Sequence, residues 1–330
     1  MRKDPFGVAK PEELGVKSEA IKSVIRDIRE ENKLDLHSFL MLRNGKLIWE
    51  EYFRKNEADA LHVLFSVTKS FTSTAIGMVQ EEGLLSIDDS IQSFFPEYKD
   101  VINEKNNTPV TLRHLLMMGS GYKNDEGSMH LACNAVKTGL GQPLIHEPGT
   151  AFDYYTLGSH LLSGAFSKVK PEGMHKYLRK NLFDPMGFGE SHWNVDFWNV
   201  NIPLGGWGLY LSAYDMARLG QLYLQNGVWQ GKQLVPSAYV KEATSKQIDN
   251  SSRVDVTEND QWWVERPDWA AGYGYQFWQN SFGGFRADGM MGQYVVVLPE
   301  LDVVIVMTSC HDEMEIPMIA IKNHLLPEVN

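Results

Sequence analysis

The strand-forming text of this chain sits at its two ends, and that placement restricts the available folds more than any other feature. Leu36 to Arg43 and Lys46 to Phe53 read as strands joined by Asn44-Gly45. Asn-Gly suits a tight two-residue hairpin, where both central residues need positive φ. Near the carboxyl end, Tyr273 to Trp278, Tyr294 to Leu298 and Val303 to Thr308 return to β text. The stretch between is mainly helical in pattern. Strands linked by hairpins pair antiparallel, whereas repeated βαβ text would give a parallel sheet. The expected fold class is therefore α/β of the α+β type. An antiparallel sheet domain would use residues 1–75 and 205–330, flanked by helices, with a mainly helical domain inserted over 76–204.

Helices are expected where apolar residues recur at helical spacing. Ser18 to Asn32 carries Ile21, Val24, Ile25 and Ile28, with Ser18 as N-cap. Ser66 to about Glu82 forms an amphipathic helix closed by Gly83, and a short piece opens at Thr111. Leu157 to Lys168, Gly173 to Leu182 and Met314 to Leu326 follow the same pattern. Ser212-Ala213-Tyr214-Asp215 resembles a capping box opening a helix through about Gln225. Residues 246–268, with the Trp262-Trp263 pair, lack periodicity and read as a surface excursion.

Composition removes several function classes. A length of 330 residues gives a prior of about two domains, at roughly 150 residues each. Apolar residues at 43% and charged residues at 22% exclude a disordered chain. A chain of this size needs no disulfide or metal staple. Thirty-one basic against 42 acidic residues leave a net charge of −11, which argues against nucleic-acid binding and against attraction to anionic lipid. Cys133 and Cys310 stand apart with no Cys/His cluster, so both read as small buried hydrophobes. His311-Asp312-Glu313 reads as a solvated helix start. Met1-Arg2-Lys3-Asp4-Pro5 leads into no apolar region, and no apolar run approaches membrane-spanning length. The chain as written is expected to be cytoplasmic, or extracytoplasmic if a leader has been removed.

No zinc-protease, phosphate-loop, dinucleotide-binding or Gly-x-Ser-x-Gly motif is present. Ser66-Val67-Thr68-Lys69 stands out instead, between apolar Leu64-Phe65 and the helical text after it. Residues three apart on a helix share a face, so hydroxyl and ammonium meet. A serine hydroxyl is a weak nucleophile that needs an adjacent base, and a desolvated lysine supplies one. On spacing alone, a capping serine beside an exposed lysine is the commoner meaning.

Context changes that balance. Ser66 through Phe71, followed by Glu82-Gly83-Leu84-Leu85-Ser86-Ile87-Asp88-Asp89, resembles the active-site helix of the penicillin-recognising serine hydrolases. That superfamily holds class C β-lactamases, DD-peptidases and related esterases and amidases. Thr111-Leu112-Arg113-His114-Leu115-Leu116 with Ser120-Gly121, and Pro148-Gly149-Thr150-Ala151-Phe152-Asp153-Tyr154, are similar to later family segments. So are Asp184-Pro185-Met186-Gly187, Gly206 through Gly220, and Gly289-Met290-Met291-Gly292-Gln293. The resemblance runs in unbroken order from about residue 10 to 325.

The resemblance implies a β-lactamase/transpeptidase-like fold and acyl transfer without metal or cofactor. Ser66 would be the nucleophile, with Lys69 and Tyr154 sharing the proton work. Tyr155 is the adjacent alternative to Tyr154 and otherwise packs as an aromatic. Backbone N–H groups of Ser66 and Gln293 would hold the oxyanion. Tyr122, Trp207 and Tyr210 fall where family members line the cleft, although core packing is the plainer reading of each taken singly.

Two departures bear on substrate. The family's Tyr-x-Asn reads Tyr154-Tyr155-Thr156, replacing an amide by a shorter hydroxyl. Where the third motif usually carries Lys or His, Met290 stands beside Met291, so no cation meets a substrate carboxylate. Arg286 is the candidate substitute; otherwise it reads as a solvent-facing strand residue. The expected substrate is a small neutral or cationic ester or amide. A β-lactam-like or peptidoglycan-like substrate is the alternative, and a binding protein that has kept the fold is a second. Nucleic acid and a membrane span are not expected.

Overall fold

The computed structural model describes residues 5–53, 58–102, 108–124, 134–251 and 266–329. In chain order the strands are β1 (Gly7–Val8), β2 (Leu36–Arg43), β3 (Lys46–Tyr52), β4 (His62–Val63), β5 (His192–Trp193), β6 (Leu209–Leu211), β7 (Val228–Trp229), β8 (Lys232–Gln233), β9 (Trp278–Gln279), β10 (Phe285–Gly289), β11 (Gln293–Leu298) and β12 (Val303–Ser309). The main helices are α1 (Ser18–Arg26), α2 (Val67–Glu81), α3 (Leu112–Leu116), α4 (Ala135–Leu140), α5 (Thr156–Val169), α6 (Met174–Leu178), α7 (Ala213–Leu224), α8 (Ser237–Ala243) and α9 (Glu315–Ala320).

Strands from both ends of the chain form one seven-stranded sheet, ordered β1-β3-β2-β12-β11-β10-β9. Every pairing is antiparallel except β1 with β3, so the expected fold class holds. Asn44 and Gly45 both take positive φ, 49° and 70°, and close the first hairpin as the dipeptide requires. β12 is buried along its whole length, so both sheet faces are covered. Gly220 brings α7 onto one face: a Cβ there would come 2.4 Å from Val304 Cγ1. Tyr294 points from the opposite face and donates to the Met314 carbonyl at the head of α9, 2.7 Å away.

Several local expectations change. Ser18 is the first helical residue rather than the cap, and its N–H donates to Glu12 Oε1 at 2.9 Å. α1 ends at Arg26 and continues as a π-helical turn, Asp27–Glu31. Ser212 caps α7 as expected, accepting from Asp215 N–H at 3.1 Å. Of Tyr273 to Trp278, only Trp278 belongs to a strand, because Gln276 takes a positive φ of 64° and turns the chain. Arg286 lies on a strand, β10, as read, but it and Asp288 are both buried and pair with each other. Cys310 is exposed rather than buried, at the end of β12. His311 is buried behind the β10–β11 turn, where a Cβ on Gly292 would lie 2.7 Å from its Nε2. Cys133 and the Trp262-Trp263 pair lie outside the described residues.

α2 differs most from the amphipathic helix expected. Every residue from Val67 to Val79 is buried, including a stripe of hydroxyls. Each hydroxyl in that stripe has a partner, as burial demands. Thr68 Oγ1 accepts from Leu209 N–H at 3.2 Å, and Ser70 donates to the Gln276 carbonyl at 2.7 Å. Thr72 donates to the Gly205 carbonyl at 2.7 Å, and Ser73 shares a 2.8 Å hydrogen bond with the Tyr239 hydroxyl. α2 is thus held by β6, by α8 and by the segments around Gly205 and Gln276.

Two half-buried imidazoles make stability depend on pH. Burial, and then His37, push His62 down to about 4; burial, then Arg179 and His192, push His175 to about 4. The unfolded chain binds these protons from its ordinary value of 6.5 downward, while the native state resists them. Their contribution to stability is therefore full above pH 6.5 and is lost as pH falls from there through the native values near 4. The slope is at most about 1.4 kcal/mol per pH unit for each group, less what residual solvent screens. Urea midpoints should decline steadily across that window. A flat profile between these limits contradicts the assignment.

Candidate active site

The reactive serine candidate lies where β4 turns into α2. Phe65 takes a left-handed φ of 45°, uncommon for a bulky residue, and turns the chain sharply between Leu64 and Ser66. Val67, Thr68 and Lys69 donate their N–H groups back to the Leu64, Phe65 and Ser66 carbonyls, fixing the turn as the helix begins. One turn on, Lys69 is 1% exposed, with Nζ 3.0 Å from Ser66 Oγ and 2.9 Å from the Gly206 carbonyl.

Tyr154 completes the cluster from the segment before α5. Lys69 Nζ lies 4.8 Å from its ring centroid. The ring stacks on Trp278 of β9, with centroids 5.5 Å apart, and meets Tyr273 edge-on at 6.3 Å. Asn124 Nδ2 donates to the Tyr154 carbonyl at 2.9 Å and fixes the backbone there. Tyr155 points the other way, donating its hydroxyl to the Gly139 carbonyl of α4 at 3.2 Å.

The end of β10 presses against the serine turn. A Cβ on Gly289 would lie 2.4 Å from the Leu64 carbonyl oxygen and 3.2 Å from Val67 N, so only glycine permits this approach. Gly289 pairs with Gln293, the first residue of β11. Met291 and Gly292 in the connection take positive φ, 61° and 80°. The Gln293 side chain donates to the Met291 and Ser309 carbonyls at 3.0 and 2.6 Å, and Ser309 Oγ donates to the Gly292 carbonyl at 2.6 Å. A rigid turn therefore stands beside Ser66.

The other sequence candidates divide. Thr156 begins α5 facing Gly206, whose Cβ would meet Thr156 Cγ2 at 2.6 Å. Met290 is 60% exposed at the tip of the β10–β11 turn. Trp207 and Tyr210 are half-buried, Tyr210 against the His192 ring. Tyr122 is buried against Tyr155, and burial pushes its phenol up to about 12. Arg286 is wholly buried rather than solvent-facing. It donates through Nε to Asp288 at 2.9 Å and through Nη1 to Asn280 Oδ1 at 3.1 Å, with its guanidinium over the Trp269 ring. Trp278, Asn124 and the Gly206 carbonyl escaped the sequence reading. Their roles come from contacts across the fold, for which spacing carries no signal.

A buried lysine touching a serine at a helix start, beneath a tyrosine ring and beside an antiparallel sheet, is the framework of the penicillin-recognising serine hydrolases. The family model described as Beta-lactamase matches residues 21–315, and the chain belongs to that family. Protein flp of Staphylococcus aureus (strain N315) is 26% identical over 164 residues, 45% of this chain and 33% of its own. The chain thus spans about a third of the length of that curated relative. An uncharacterised protein of Alkalihalophilus pseudofirmus is 22% identical over 88% of this chain and 89% of its own. The octameric penicillin-binding protein homologue from Pyrococcus abyssi superposes with a TM-score of 0.70 at 19% identity, covering 93% of this chain and 78% of that one. A penicillin-binding protein homologue from Caulobacter crescentus gives 0.70 at 16% identity, over 94% and 99%. These superpositions speak to fold. Among the described residues, no helix is long and apolar enough to cross a membrane.

Proposed function

We propose that the chain is a metal-independent serine hydrolase that forms an acyl-enzyme on Ser66 and turns over small neutral or cationic esters or amides. The observation that carries the reading is the 3.0 Å contact between Lys69 Nζ and Ser66 Oγ beneath the Tyr154 ring. That separation lies within reach for direct proton transfer. Lys69 and Tyr154 jointly take the Ser66 proton as Oγ attacks the carbonyl carbon. The oxyanion that forms is held by the N–H groups of Ser66 and Gln293. Collapse breaks the bond to the leaving group, which receives the proton and departs. Water then attacks the acyl-enzyme by the same route, releasing the acid and restoring Ser66.

The substrate half of the reading rests on charge. Met290 offers no cation at the exposed turn, and the Arg286 guanidinium is committed to Asp288 and Asn280 in the interior. A penicillin or a D-alanyl terminus presents a carboxylate that asks for such a cation. An overall charge of −11 points the same way. The proposed cleft lies between the sheet domain of residues 1–75 and 205–330 and the helical insert of residues 76–204.

The test is a comparison of two chromogenic substrates. Turnover of p-nitrophenyl acetate with little or no hydrolysis of a chromogenic cephalosporin is the expected result. Rapid cephalosporin hydrolysis, or stable acylation by penicillin, favours the peptidoglycan-type alternative. Failure to turn over or be acylated by any of them favours a binding protein.

A further inference from the structure

Behind the Gly205–Gly206 segment lies a buried imidazole–carboxylate pair that the acyl-transfer steps do not use. His160 of α5 is 3% exposed, and its Nε2 lies 2.8 Å from Asp196 Oδ2. On the other side of the ring, Nδ1 faces the Gly205 N–H at 3.5 Å. A backbone amide only donates, so Nδ1 accepts, and the ring proton sits on Nε2 and donates to Asp196. Asp196 is itself fixed, because Oδ1 accepts from the Trp198 and Asn199 N–H groups at 2.6 and 3.0 Å. Burial pushes this carboxyl up, but His160 and the two amides outweigh it and hold it below its ordinary range.

The glycine segment lies too close to α5 to carry side chains of its own. A Cβ on Gly205 would come 2.1 Å from the Ser159 carbonyl oxygen. Backbone hydrogen bonds from both sides locate it instead. Thr72 of α2 donates to the Gly205 carbonyl at 2.7 Å, and His160 takes the Gly205 N–H. One residue further, the Gly206 carbonyl accepts from Lys69 Nζ at 2.9 Å.

We propose that the His160–Asp196 pair is a positioning device for Lys69. Nδ1 of His160 fixes the Gly205–Gly206 backbone, and the Gly206 carbonyl in turn holds the lysine amine against Ser66. The inference rests on the reading of Ser66 and Lys69 as nucleophile and base. Neither His160 nor Asp196 needs to touch substrate for this role.

Two isosteric variants separate positioning from simple support of the fold. His160→Asn places an amide oxygen near the former Nδ1 and strands Asp196. His160→Gln serves Asp196 and abandons Gly205. The readout is labelling of Ser66 by a fluorophosphonate, resolved into a limiting rate and a half-saturating concentration. Positioning predicts that His160→Gln loses about tenfold in limiting rate with half-saturation within about twofold. His160→Asn should recover most of the rate although its Tm falls further. Thr72→Val loosens the same segment from the α2 side without disturbing the buried charge, and should reproduce the His160→Gln signature. Wild-type rates in His160→Gln and Thr72→Val, or rates that simply follow Tm across the variants, overturn the inference alone. Wild-type protein that takes no label overturns the Ser66–Lys69 reading, and this inference with it.

Discussion

Lys69→Met is expected to lower the limiting rate of Ser66 acylation by about 10³-fold while the protein stays folded. Methionine nearly matches the length of the lysine stem and fills the same buried channel between α2 and the Gly206 segment. What disappears is the amine that lies 3.0 Å from Ser66 Oγ. The hydroxyl then has to lose its proton without that neighbour. The Gly206 carbonyl also loses its donor, at a cost of about 1–3 kcal/mol, which the easier burial of a thioether partly offsets. Limiting rates of p-nitrophenyl acetate turnover or fluorophosphonate labelling, with circular dichroism to confirm folding, measure the effect. A folded variant that loses less than about tenfold removes Lys69 from the proton transfer.

The second large effect concerns stability and sits on β10. Asp288→Ala should destabilise the protein by about 3–5 kcal/mol, because it strands the Arg286 guanidinium in a site with no solvent access. Burial pushes the Asp288 carboxyl up, and Arg286 pulls it back, so the buried carboxylate depends on the guanidinium beside it. Replacing both by apolar residues of similar volume should recover much of the loss, since the desolvation cost then vanishes with the pair. Urea denaturation of the two variants measures this. A single-variant loss below about 1 kcal/mol means that Arg286 relaxes to solvent, and so becomes available to a substrate carboxylate.

What the sequence disclosed follows from the range over which each signal acts. Asn44-Gly45 and the Ser212 cap are complete within a few residues, and the structure uses both as read. The Ser66-to-Lys69 spacing is likewise local, since one helical turn brings the two side chains together. Arg286 read as a surface strand residue because its partner, Asp288, is a second charge in the same short run. Pairing turns two polar signals into one buried unit. The α2 hydroxyls misled in the same way, because their partners, at residues 205, 239 and 276, lie far away in the chain. Tyr154 and Tyr155 are adjacent and chemically alike. Only the fold aims one ring at Lys69 and the other hydroxyl at Gly139.

Acylation at Ser66 is best checked by intact-protein mass spectrometry. Incubation with a fluorophosphonate should add one phosphonyl group per chain, mapped by peptide fragmentation to Ser66 and missing from Ser66→Ala. A chain that takes no adduct, or that carries it equally in Ser66→Ala, contradicts the account.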